Sequence, residues 1–245
     1  MAVLPLGATE QHGPHLALSV DTVLVEGVIN AALNHLSAQD PVWVLPTQSV
    51  SYSPEHQAFA GTLTLSPTTL IGLWCDIGRS VLRAGIRKLV LFNSHGGNVA
   101  MMDVVARELR ALGLLVYSSS WYNLPIDAKV MSAFSAQEQR FGIHGGEIET
   151  SMMLALCPQG VHMDKAQNFT SSSQHRAQHY PVLGDGKSAK LGWHIQDYNP
   201  QGAVGNAAAA TAEKGHALVQ SAGEQLARLL KEVIALPLDT IEQTP

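Results

Sequence analysis

Three short stretches of the chain concentrate side chains that can bind metals or carry protons. The first is Gly7-Ala8-Thr9-Glu10-Gln11-His12-Gly13-Pro14-His15, with Asp21 nine residues after His12. In an extended segment Glu10 and His12 point the same way, because strand side chains alternate with period two. A carboxylate and an imidazole converging beside a second carboxylate form a ligand set for a divalent metal such as Zn, Mn or Fe. A polar loop displaying Glu and His to solvent is the plainer alternative. The second stretch is Asn93-Ser94-His95-Gly96-Gly97-Asn98. Its two glycines let the backbone approach a ligand closely and turn sharply into a helix. With neither G-x-G-x-x-G nor a Walker-type lysine present, a nucleotide-phosphate role is the weaker reading. The third is His144-Gly145-Gly146-Glu147-Ile148-Glu149-Thr150-Ser151. Within a helix Glu147 and Glu149 sit ~200° apart, so both cannot face one small site. Acidic residues complementing a helix dipole are the alternative there.

These stretches need a scaffold, and the apolar pattern supplies one. Residues 3–6 read as a strand that leads straight into the first stretch. Residues 21–36 carry Val25, Ile29, Ala32, Leu33 and Leu36 on one face, a helical spacing. A second strand spans 42–45 and stops at Pro46. Ser66-Pro67 starts a helix with a capping hydroxyl and an early proline, followed by Leu70, Leu73, Trp74, Ile77 and Val81. Residues 88–93 (KLVLFN) form a continuous apolar strand of the kind buried in a parallel sheet. Asn98 is placed to cap a helix bearing Met102, Val105, Leu109 and Leu112. A strand at 114–118, a helix at 147–156 and a last helix at 211–234 complete the pattern. Residues 160–205 lose periodicity and read as a long surface excursion. Alternating strands and helices predict a single α/β domain over residues 1–245, with a mostly parallel sheet flanked by helices on both faces. Ligands bind outside the carboxyl ends of such strands, where all three stretches fall. One polynuclear metal site accounts for them together.

Composition narrows the class further. Only 14% of the 245 residues are charged and 46% are hydrophobic, which excludes disorder. No run of ~20 apolar residues occurs, so no membrane span is expected. A net charge of −5 argues against a nucleic-acid surface. Cys75 and Cys157 cannot make a disulfide framework, and the first residues have no signal-peptide core. A soluble cytoplasmic protein is the expectation.

The three stretches, together with Phe59-Ala60-Gly61-Thr62 and Thr211-Ala212-Glu213-Lys214-Gly215, closely resemble the creatininase family of amidohydrolases over nearly the whole chain. That resemblance implies two divalent ions per chain (Zn, Mn or Fe), ~3.5 Å apart as in two-metal hydrolases. By matched position, Glu10, Asp21 and His95 would hold the first metal. His12 and Asp21 would hold the second, with Asp21 bridging. His144 matches the family histidine that passes a proton to the leaving nitrogen. The implied reaction is hydrolysis of a C–N bond in a cyclic or non-peptide small-molecule amide. Family relatives also include a deformylase and a peptide-maturation peptidase, which resemble this chain more closely in His-Gly-Gly-Asn. A non-catalytic metal-binding assembly protein is the remaining alternative. Homo-oligomers, often hexamers, are common in the family, and a shortened start is expected here because relatives carry a segment ahead of the first strand.

Two departures from creatininase proper shape the expectations. Its second metal takes a glutamate two residues after the middle histidine, where this chain has Gly97. Glu147 stands where creatininase has an apolar residue, so Glu147 is expected as the relocated ligand, with Glu149 in a supporting role. Aromatic residues beside the creatinine ring are replaced by Gly96 and Arg140, which argues against creatinine as substrate. Arg140 is expected to meet a substrate carboxylate or phosphate if it faces the cleft, and to be a solvated surface residue otherwise. His56 is a further candidate for lining the cleft.

Overall fold

A computed structural model describes residues 1–241; the last four residues of the expected 1–245 unit lie outside the described residues. Strands β1 (Ala2–Leu6), β2 (Trp43–Val44), β3 (Lys88–Asn93) and β4 (Leu115–Ser120) form one parallel sheet in the order β2-β1-β3-β4. β3 matches its predicted bounds. β2 is shorter than expected, although Leu45 still donates its amide to Val3 O.

Helices cover both faces. Period-two alternation sends Val3, Val90, Phe92 and Leu115 to one side, against helices α1 (Val20–Leu33) and α9 (Ala212–Ala235) and the two methionines of α6 (Glu147–Leu156). Ala2, Leu4, Leu6, Leu89 and Leu91 point the other way, onto α2 (Pro67–Arg83) and α3 (Val99–Ala111). Ser66 caps α2 by accepting the Thr69 amide, and Thr211 caps α9 by accepting that of Lys214. Asn98 does not cap α3. Its amide instead donates to Gly7 O (3.2 Å) and Asn93 Oδ1 (3.1 Å), tying two loops of the site together.

The stretch at 160–205 is more than surface. It contains β5 (Asn168–Phe169), α7 (Ser172–His179) and α8 (Ile195–Tyr198), buries Phe169, Ile195 and Val204, and pairs β5 with β6 (Gly205–Asn206). Two short helices not evident in the apolar pattern, α4 (Ala128–Met131) and α5 (Ala136–Phe141), precede α6. Among the described residues no helix is long and apolar enough to cross a membrane.

The topology locates the site. The chain leaves β1 toward α1 on one face and leaves β3 toward α3 on the other. Adjacent strands whose connections diverge in this way open a crevice at their carboxyl ends.

Candidate metal centre

Leu6 and Asn93, the last residues of β1 and β3, are register partners, so the loops that follow leave the sheet side by side. Ser94 locks them together: its amide donates to Leu6 O and its hydroxyl to Asp21 O. The Asn93 side chain holds the His95 turn by donating to His95 O at 2.7 Å and accepting the His95 amide at 3.1 Å.

Glu10, His12, Asp21 and His95 are all buried and converge. Asp21 stands between two imidazoles, with Oδ1 3.7 Å from His12 Nε2 and Oδ2 3.5 Å from His95 Nδ1. Glu10 Oε1 lies 3.2 Å from His95 Nδ1 and 3.8 Å from His12 Nε2. Glu149 Oε2 closes the far side, 3.9 Å from His12 Nε2. Glu10–Asp21–His95 and His12–Asp21–Glu149 each offer ligand atoms within 4.8 Å of one another, and Asp21 belongs to both sets; Glu10–His12–His144 forms a third.

The imidazoles are oriented from behind. His95 Nε2 lies 2.7 Å from Tyr52 O, and His12 Nδ1 lies 3.1 Å from Glu10 O. In the neutral imidazole, an N–H donated to a backbone carbonyl leaves the other ring nitrogen, on the carboxylate side, with the lone pair a metal takes. Among the described residues, both oxygens of Glu10, His12 Nε2 and Asp21 Oδ2 are buried with no hydrogen-bond partner. Buried polar atoms left in that state are costly, and carboxylate oxygens with imidazole nitrogens are the donors Zn or Mn takes. The residues fit a divalent metal ion.

Electrostatics agree with that chemistry. Burial works against charge on His95 and His12, yet the surrounding carboxylates outweigh it and raise their pKa values to about 10 and about 9. Burial, with repulsion from Asp21 and Glu10, lifts Glu149 to about 7 against the pull of His12. His56 and His144 are driven the other way, by burial and then by the neighbouring imidazoles, and stay neutral. The His144 ring stacks between those of His12 and His56, each centroid 4.1 Å away. Its Nε2 lies 2.7 Å from Gln11 O, and Nδ1 lies 3.8 Å from Glu10 Oε1.

The cluster opens into a cavity of about 430 Å³. His56, Gly96 and His144 line it beside the acidic residues, while Trp121, Tyr122, Ile126, Met131, Ile148 and Trp193 form an apolar wall.

Two of the expected residues lie away from the cluster. Glu147 is not at the cluster: its Oε1 is ion-paired with Lys214 Nζ of α9. Helical phase allows only one of Glu147 and Glu149 to face the crevice, and the backbone selects Glu149, whose Oε2 accepts the Gly145 amide at 2.6 Å. Gly145, at φ +61°, supplies the left-handed turn that presents this amide. Arg140 does not line the cavity beside the cluster. It is exposed, donates to Gly184 O and borders a neighbouring cavity.

Sequence reasoning passed over several residues. Glu149 had a signal, since a glutamate at the third position of a helix readily reaches back to its first turn. Gln11 joins the histidines, with its amide nitrogen 2.8 Å from His56 Nδ1 and its oxygen accepting the Gly13 amide. Buried Glu138 pins the start of α6 by accepting the Ile148 and Asn206 amides. Trp193 arrives from an aperiodic segment and gave no sequence cue.

A family profile described as Creatininase: Creatinine amidohydrolase matches residues 1–230. The chain belongs to the creatininase family. Creatininase-family relatives include the mycofactocin precursor peptide peptidase of Mycobacterium ulcerans, 33% identical over 218 residues, covering 87% of this chain and 77% of that protein. The creatinine amidohydrolase of Pseudomonas putida is 30% identical over 244 residues, covering 94% and 88%. A crystal structure of a creatininase superposes with TM-score 0.78 at 27% identity, covering 96% of this chain and 91% of that one. Creatininase structures described as Mn and as Zn–Zn type are also similar to this creatininase-family chain.

Proposed function

We propose that the protein is a metal-dependent amidohydrolase that cleaves a C–N bond of a small cyclic or non-peptide amide, with two divalent ions held by Glu10, Asp21 and His95 and by His12, Asp21 and Glu149. The observation that carries this reading is a buried, hydrogen-bond-deficient set of carboxylates and imidazoles at the floor of a substrate-sized cavity. Bound there, divalent ions supply Lewis acidity and bring the pKa of water toward roughly 7.

The chain's own residues supply the rest. His144 is the proton carrier: its Nε2–H is tied to Gln11 O, so Nδ1 is the free base, and burial keeps it neutral near pH 7. Nδ1 takes a proton as the water oxygen bonds to the amide carbon, then returns it to the nitrogen as the C–N bond breaks. His56 and Gln11 hold the His144 ring in plane, and the Trp121–Trp193 wall excludes bulk water from the amide. Peptide bond hydrolysis is the second reading, favoured by the likeness to the Mycobacterium ulcerans peptidase and by Gly96, which leaves the rim beside His95 without a side chain.

The test is metal content per chain after purification without chelators, followed by amine release from cyclic amides, formamides and short peptides. Two ions per chain and hydrolysis in one class support the reading. A His144→Asn variant should keep the metal and lose turnover by about 10²–10⁴-fold. A protein that takes up neither Zn nor Mn overturns it.

A further inference from the structure

The catalytic cavity has a neighbour of different character. Behind Ile143 and Trp193, which line both, lies a second cavity of about 390 Å³ bordered by Arg140, Arg176, Lys187 and Lys190. Four of the chain's 15 basic residues therefore surround one cavity, in a protein of net charge −5. Asp185 is the acidic residue of the lining, and its carboxylate is occupied within its own loop by the Lys187 and Ser188 amides and the Ser188 hydroxyl.

The guanidinium of Arg176 is held in place without being satisfied. It lies over the Tyr198 ring at 4.8 Å, and Nη1 donates to Ser172 Oγ at 3.0 Å. Nη2 is buried and has no hydrogen-bond partner among the described residues. A guanidinium fixed at the border of a basic cavity is a group suited to a carboxylate or a phosphate. Trp193 forms the partition, its ring 6.0 Å from that of His56 on the catalytic side and 5.0 Å from that of Tyr198 on the basic side.

We propose that this basic cavity is a binding subsite for an anionic group, carboxylate or phosphate, carried by the substrate whose amide lies at the metal centre. The inference rests on the amidohydrolase reading for the word substrate, but not for the anion site itself. It restores Arg140 to a role in recognition one cavity away from the place expected of it.

Calorimetric titration of the metal-loaded protein with inorganic phosphate and, separately, with succinate at constant ionic strength tests the subsite directly. Wild type, Arg176→Gln and Lys190→Gln are compared, with metal content measured for each. The expected result is at least a tenfold loss of affinity for one of the anions in Arg176→Gln and a smaller loss in Lys190→Gln, at unchanged metal content. The anion that loses affinity identifies the source chemistry. Phosphate held only by the metal ions would bind all three proteins equally, and that result overturns the proposal, as does absence of binding to wild type. Because Lys190 is exposed, its variant keeps the test open if Arg176→Gln fails to fold. Loss of anion affinity in the variants, with no amide hydrolysed by wild type, would leave the subsite standing and remove the amidohydrolase reading.

Discussion

The carboxylate of Glu149 lies 3.9 Å from Nε2 of His12, although the two residues are separated by more than half the chain. Two backbone features create this approach. The β1 loop brings His12 to the crevice, and the Gly145 amide draws Glu149 back over the first turn of α6. Two residues earlier on the same helix, Glu147 turns outward to Lys214. One helix start thus divides its two glutamates between a cluster and a part-buried ion pair.

The two glutamates should separate cleanly by mutation. Glu149→Gln is expected to lose about one of two metal ions with little change in fold, because its oxygen faces the cluster. Glu147→Gln should keep the metal content and lower stability by about 1–3 kcal/mol, since Lys214 loses its charged partner. Elemental analysis and thermal melting of both variants check this; the opposite pattern would return Glu147 to the cluster.

Gly97 is a position where any side chain should damage the site. A Cβ there would stand 2.3 Å from Tyr52 O and 2.5 Å from His95 Nε2, and 2.6 Å from Glu55 Oε1. Tyr52 O is the acceptor that orients His95. Gly97→Ala is therefore expected to weaken metal affinity about 10–100-fold, the usual cost of disturbing a ligand's supporting contact. Competition with a chromophoric chelator would measure it, and wild-type affinity would refute it.

Proton release should accompany metal uptake. His12 and His95, at about 9 and about 10, are charged at pH 7 in the metal-free protein. Metal binding needs both imidazoles neutral and Glu149, raised to about 7, ionised, so uptake of both ions should expel about two to three protons near pH 7. The apparent affinity for the ion pair taken together then rises with pH, by up to about a hundredfold per unit from the two imidazoles, or about tenfold for each ion. Calorimetry in buffers of different ionisation enthalpy counts the protons, and a count near zero would contradict the geometry.

Much of this was legible in the sequence, for identifiable reasons. β3 and α6 matched their expected bounds because each is a continuous, strongly patterned run. Glu10, His12, Asp21 and His95 were legible because they sit in loops directly after strands, or at a helix start, where topology alone assembles them. Glu149 was expected only in a supporting role because periodicity shows that two glutamates diverge and not which one faces inward; the Gly145 amide and Lys214 decide that. Asn98 was read as a cap because local preference was visible and its bond to Gly7 O, 91 residues away, was not. Trp193 and Arg176 reach their cavities through aperiodic chain, where spacing carries no information.

Acid should destabilise the protein through His15, which lies beside the cluster. It is buried, its Nε2 meets Thr150 Oγ1 at 3.0 Å, its ring stacks on Phe169, and Nδ1 has no hydrogen-bond partner among the described residues. Burial, reinforced by repulsion from His12, lowers its pKa to about 4. The unfolded chain, with the ordinary value of 6.5, thus binds a proton before the native state does. Stability is unaffected by this group above pH 6.5 and falls as pH drops from 6.5 to about 4, by up to about 1.4 kcal/mol per unit. His15→Gln removes the titration, so its stability should be lower at pH 8 and flatter toward pH 4. Denaturant melts of metal-free protein across that range test this, because metal release would otherwise add its own acid dependence. Parallel curves for the two proteins would mean that His15 is protonated in the native state as readily as in the unfolded one.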